Sequence, residues 1–348
     1  MEETGIKDRI NKFCLDKNIS NPFIKECITE FIEGHTSLFG DIVSTDELFD
    51  RLESNLDKIT YAGKIGGVRL GEYKGRIKDN TDQNEILIYA DESDLEISEV
   101  DQKMWELYTN EDKQKLLEER DKKREEIKST IIHELTHCAY TIKDSYGIGE
   151  KHIFSRNGKN LFGADYYSFV GGNSNYVEAI VNFISSKIEG KSVERIQTYE
   201  YETKAIYMLA EKMGEKSIIK SAWDSDEVSF QQSYEEKVGE NYTSFNNSMR
   251  ELVVIRNNRN LDVEQYFSRS KTCLSNIEQI LEGKELKKRE IQDVPKKDEE
   301  ISPIGKIGFE DVSHTTAIRR PMLDKATNFV KKLFQNKQKM KETEEERE

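Results

Sequence analysis

The 348-residue chain has five histidines. Two of them, His133 and His137, stand four apart with Glu134 directly after the first, in the stretch KSTIIHELTHCAYTIKD (residues 128–144). On a helix, residues i and i+4 lie on one face, a turn apart, so both imidazoles can bind a single metal ion. A glutamate beside such a pair can act as general base on a water that the metal activates. The chemistry on offer is metal-assisted hydrolysis, with one zinc ion per chain as the expected metal. Composition alone would produce this pattern in about one of a hundred such chains. The flanks argue further against coincidence. Ile131, Ile132, Leu135, Thr136, Cys138 and Ala139 carry no charge in a chain that is 34% charged, and a metal site needs such a dry wall.

A catalytic zinc takes three protein ligands and leaves one position for water. The extended pattern HExxHxxGxxH is not met, because Tyr140 stands at the glycine and Lys143 at the last histidine. Asp144 is one residue off an HExxHxxGxxD pattern, and His152 lies in a glycine-rich stretch. The leading candidate is Glu178, in NYVEAIVNFISSKIEG, the only formal charge between Tyr176 and Ser185. Glu178, Asn182 and Ser185 or Ser186 form one polar stripe on a helix otherwise made of Val177, Ala179, Ile180, Val181, Phe183 and Ile184. The stripe faces either water or the metal. Facing the metal, Glu178 is the third ligand and Asn182 hydrogen-bonds a ligand histidine.

The elements that must position these residues are mostly helical. Residues 1–58 read as an N-terminal helical region, with Ser20 or Asn21 capping a helix that opens at Pro22, and a capping box of Ser44 with Glu47. Residues 59–91 are rich in glycine and β-formers and predict a small antiparallel sheet that includes EILIYA. A helix follows over about 111–141. Its first half, EDKQKLLEERDKKREEIK, is nearly all charge and its second half nearly all apolar, so it runs from solvent into the core. A glycine-rich connection over 144–175 leads to the Glu178 helix at about 175–188, and helices continue through 190–282. Residues 283–321 read as a charged linker. Residues 322–348 combine an amphipathic segment, with Met322, Ala326, Phe329, Val330, Leu333 and Phe334 at helical spacing, and an acidic tail. That segment fits docking on the protein's own body, a partner or a membrane surface. The fold class is α+β, predominantly helical.

HELTH followed by VEAIVNFI resembles the gluzincin branch of zinc metallopeptidases, the thermolysin-like clan, over roughly residues 80–225. There a second helix carries Glu-x-x-x-Asp; the match here is Glu178-Ala-Ile-Val-Asn182, with Asn in place of Asp. The separation, 178 − 137 = 41 residues, is longer than in thermolysin, and the glycine-rich insertion accounts for it. Repressor-cleaving peptidases of mobile elements carry a similar arrangement. The resemblance implies a zincin-like fold with a small sheet beside the active-site helix, and a zinc metallopeptidase, an endopeptidase, with Glu134 as general base. It also implies an edge strand that pairs with the substrate backbone, for which NEILIYA is placed, and a Tyr or His that steadies the oxyanion. Tyr166 and Tyr167 are the first candidates for that last role, with His152, Tyr199 and Tyr201 behind them. Two other readings stay open: a regulatory protein on the same scaffold, and a zinc hydrolase of a non-peptide amide.

A net charge of −14 repels phosphate backbones and disfavours nucleic acid as a partner; peptide or protein is the expected substrate. The four cysteines show no CxxC spacing and read as reduced thiols, with Cys138 in the core. His35 and His314 sit in turn-like contexts and read as surface residues. The opening segment has no apolar core, and no run is long enough to span a membrane. The expected location is the cytoplasm, with export without a signal left open.

Overall fold

A computed structural model describes residues 3–64, 70–74, 84–141, 174–196, 199–224, 227–258 and 260–284. Asp144, His152, Tyr166, Tyr167, His314, nearly all of the 283–321 linker and the 322–348 segment lie outside the described residues. Three helices open the chain: α1 (Glu3–Asp16), α2 (Pro22–Phe39) and α3 (Thr45–Asn55). Their start signals act as the sequence predicts. The Asn21 side chain accepts from the Ile24 N–H at 3.0 Å, and Ser44 and Glu47 close a reciprocal capping box. Each satisfies amide groups that a helix end leaves orphaned.

A three-stranded sheet follows, formed by β1 (Lys58–Tyr61), β2 (Gly71–Lys74) and β3 (Glu85–Ile88) in the order β1-β3-β2. It is mixed, which corrects the all-antiparallel expectation: β2 pairs with β3 antiparallel, whereas β1 pairs with β3 parallel. Four-residue strands carry too little alternation to reveal direction. A second correction follows. The apolar strand EILI is central, flanked on both sides, and Ile86 and Ile88 are fully buried. Its apolarity reflects that burial, so among the described residues β2 and β1, not β3, are the edges.

A short helix α4 (Glu99–Met104) leads to α5 (Asn110–Ala139), 30 residues and about 45 Å long. Thr109 and Asp112 box its N-terminus. Ile131, Ile132, Leu135 and Cys138 are wholly buried near its far end, which packs on α2, α3, β2 and β3. Each fully buried Ile or Leu contributes about 1.5–3 kcal/mol. The C-terminal carbonyls of α5 find a partner from elsewhere in the chain: the Asn55 side-chain amide, at the end of α3, donates to the carbonyls of Cys138 (3.1 Å) and Thr141 (2.7 Å).

Helix α6 (Ser174–Ile188) packs against α5, against α2 and against the first helix of a C-terminal group. A Cβ on Gly34 of α2 would lie 2.9 Å from Ile188 Cγ2 and 3.3 Å from its carbonyl oxygen, so a larger residue there would push Ile188 aside where α2 crosses α6. The C-terminal group comprises α7 (Glu200–Met213), α8 (Glu215–Asp224), α9 (Glu227–Lys237), α10 (Tyr242–Asn257) and α11 (Val263–Leu281). One continuous hydrophobic core joins it to α1–α3, the sheet, α5 and α6. No helix among the described residues is long and apolar enough to cross a membrane.

His35 corrects the surface reading. It is fully buried in α2, among the rings of Phe31, Phe39, Tyr140 and Trp223, with its Nε2 3.0 Å from the Tyr140 hydroxyl. The signal was its place in an apolar stripe, four residues from both Phe31 and Phe39. Trp223, one of these rings, carries the Arg51 guanidinium stacked on its face. Burial drives the His35 pKa from 6.5 down to about 3. The unfolded chain therefore binds a proton below pH 6.5 that the folded chain refuses, and stability falls as pH drops through that window. The expected stability advantage of wild type over His35→Gln shrinks on acidification, by up to about 1.4 kcal/mol per pH unit between pH 6 and 4. Denaturant melts across that range would reveal it; a gap independent of pH would contradict the buried neutral histidine.

Candidate metal centre

His133 and His137 lie one turn apart on α5, and Glu178 reaches them from the first half of α6. His133 Nε2 lies 3.0 Å from Glu178 Oε2, His137 Nε2 lies 3.4 Å from Glu178 Oε1, and the two Nε2 atoms are 3.2 Å apart. Tetrahedral zinc with bonds of about 2.0–2.1 Å needs its ligand atoms about 3.3–3.4 Å apart. The two imidazole nitrogens are close to that spacing, each has one oxygen of the Glu178 carboxylate near it, and one donor atom from each of the three residues lies within 4.8 Å of the others. Among the described residues this is the group of His, Cys, Asp or Glu side chains that could hold an ion. All three are partly open to solvent, with side-chain exposures of 18%, 11% and 21%.

The electrostatics favour positive charge at this point. Burial would depress the His133 pKa, but the hydrogen bond and charge of Glu178, the charge of Glu134 and a hydrogen bond with Asn182 push it up to about 9. Burial would raise the Glu178 pKa, but the charge of His137 and bonds to both histidines hold it well below the usual carboxylate range. A divalent ion held by the same three donors would take the place of the proton that these carboxylates otherwise hold on His133. Asn182, one turn along α6 from Glu178, bonds the His133 imidazole as the sequence predicts for an orienting residue.

Glu134 sits beside the triangle and is 7% exposed. Burial raises its pKa, countered by the two histidines and by a backbone hydrogen bond. That bond comes from β2: the Tyr73 N–H donates to Glu134 Oε2 at 2.8 Å. The sequence reading did not reach Tyr73, because a backbone donor leaves no trace in residue type. The neighbouring Gly71 was the available sign, since glycine inside a strand marks close backbone approach.

The structure brings His133, His137, Glu178, Glu134 and Asn182 together. It does not bring Tyr199 or Tyr201 to them. Tyr199 lies under the Arg256 guanidinium, which pairs with the buried Glu202 at 2.8 Å, and Tyr201 packs edge-on against Tyr266. Cys138 is buried as expected, and burial pushes its thiol pKa up, so it remains a thiol in the core.

No protein-family profile matches the chain, and neither the curated proteins nor the solved structures yield a match. The site must therefore be argued from its own geometry. Removing Asn182 frees the His133 ring to turn, so Asn182→Ala is expected to weaken metal binding about 10- to 100-fold. Asn182→Asp keeps the hydrogen bond and adds charge, and is expected to bind at least as tightly as wild type. Competition against a chromophoric chelator measures both; equal affinity for Asn182→Ala and wild type would remove Asn182 from the site.

Proposed function

We propose that the chain is a single-zinc metallopeptidase of gluzincin type. His133, His137 and Glu178 are the ligands and Glu134 is the general base. The observation that carries the reading is the cluster of two imidazole nitrogens and one carboxylate, with a second, buried carboxylate beside it. The donor set, two histidines and a glutamate, suits zinc in a site that keeps one position open.

Bound there, the ion supplies a water acidified towards neutral pH and an electrophile for the scissile carbonyl. Glu134 takes the proton from the attacking water as the new C–O bond forms, and delivers it to the leaving nitrogen as the C–N bond breaks. Its burial suits both duties, because a raised pKa brings the carboxyl nearer to the working pH. Asn182 keeps the His133 ring in the orientation that ligation requires. Tyr166 and Tyr167 remain the sequence's candidates for steadying the oxyanion. A peptide, as against a small amide, is the substrate that the resemblance of HELTH and VEAIVNFI to metallopeptidases implies.

Elemental mass spectrometry of wild type and Glu178→Ala, with a peptide-library cleavage screen, tests the proposal. Expected are about one zinc per wild-type chain, marked loss in Glu178→Ala, and library cleavage that Glu134→Gln reduces about 10²- to 10⁴-fold while keeping the metal. Zinc fully retained in Glu178→Ala would remove Glu178 from the ligand set. Metal without cleavage would favour a regulatory protein or a non-peptide amide hydrolase.

A further inference from the structure

Strand β2 does more than cover the site. Its register fixes which backbone groups point where. Gly71 pairs with Ile88 and Tyr73 with Ile86, and the Tyr89 N–H donates to the Leu70 carbonyl at 2.9 Å. Antiparallel strands alternate hydrogen-bonded and non-hydrogen-bonded pairs, so residues 70, 72 and 74 turn their backbone groups into the ladder with β3. Gly71 and Tyr73 turn theirs outward. The outward N–H of Tyr73 has Glu134 Oε2 as its acceptor.

The same stretch is pressed against α5. A Cβ on Gly71 would lie 2.4 Å from Thr130 Cγ2, 3.2 Å from Glu134 Cγ and 3.3 Å from Glu134 Oε1. No side chain fits there unless Thr130 and Glu134, or the strand itself, give way. Tyr73 is also fixed at its far end: its hydroxyl donates to the Asn55 carbonyl at 3.0 Å, and the Asn55 side chain holds the last carbonyls of α5. The strand is thus tied to the helix on both sides of Glu134.

We propose that the Tyr73 backbone N–H, held in place by the close approach at Gly71 and the Tyr73–Asn55 bond, is the positioning group for Glu134. This rests on the reading of Glu134 as general base. The amide engages Oε2 and fixes the carboxyl plane. Oε1 is left to receive the proton of the attacking water. A carboxylate on a free side chain would sample several rotamers, and small errors in placing a catalytic group cost rate steeply. Tyr73 acts through Glu134 and is a positioning residue, not a catalytic one.

Two measurements test it. The first needs no activity: hydrogen exchange at the Tyr73 amide. An outward amide on a strand edge gains protection from its carboxylate acceptor, so Tyr73 is expected to be protected in wild type and to exchange at least about tenfold faster in Glu134→Ala. The second replaces the Tyr73 amide by an ester, through site-directed incorporation of p-hydroxyphenyllactate, which keeps the side chain and deletes the N–H. The ester protein is expected to bind metal and melt as wild type does, with kcat about 10- to 100-fold lower and KM little changed. Gly71→Ala, whose Cβ would press on Thr130 and Glu134 and disturb the seating of the carboxylate against β2, is expected to give the same split, and carries the kinetic test if the ester protein does not fold. Equal exchange in wild type and Glu134→Ala, or an ester protein with wild-type kcat, would overturn the proposal. If the wild type binds metal but cleaves no peptide, the general-base reading fails by itself, and exchange alone decides whether the brace exists.

Discussion

The structure depends on one costly placement: the carboxylate of Glu178, the only formal charge between Tyr176 and Ser185, on a helix that packs into the core. A partly buried carboxylate among apolar neighbours is best tolerated where positive charge and hydrogen bonds meet it. Here His133 and His137 meet it across the crossing of α5 and α6. That requirement sets the depth at which α5 enters the core and the register at which α6 crosses it. It also explains why the charged half of α5 lies outside and the HELTH half inside. A bound cation would satisfy the three groups at once.

The surrounding elements hold that crossing still. Gly34 lets α2 lie close on α6, and Asn55 closes the C-terminus of α5. On the far side of α6, Ser186 and Tyr207 share a hydrogen bond at 2.7 Å, and Phe183 meets the Tyr207 ring edge-on, which ties the site to the C-terminal helices. Strand β2 then places a backbone donor on Glu134. Rigid scaffold and partly open site coexist because the opening lies at the ligand atoms, while the backbones that carry them are packed from several directions.

What the sequence could show follows the range of each signal. Helical periodicity and a change from charge to apolarity are local, and they located α5 over 111–141 against the observed 110–139. A lone charge in an apolar helix is also local, and it singled out Glu178 and, one turn on, Asn182. Strand direction and sheet order depend on connections across tens of residues, so the parallel β1–β3 pairing and the central place of β3 were not legible. His35 was misread because its glycine neighbour suggested a turn, whereas its burial is a matter of tertiary packing by Tyr140 and Trp223. Asn55 and the Tyr73 amide act through backbone groups over distances of 61 to 86 residues, which no residue pattern announces.

The central claim is that two imidazoles and one carboxylate, brought together by α5 and α6, hold a zinc ion. X-ray absorption at the zinc K edge of the purified, zinc-loaded protein tests this most directly. The account predicts a first shell of nitrogen and oxygen at about 2.0–2.1 Å, with the outer-shell scattering of two imidazoles and no sulfur near 2.3 Å. A sulfur shell, or an absence of imidazole scattering, would contradict it.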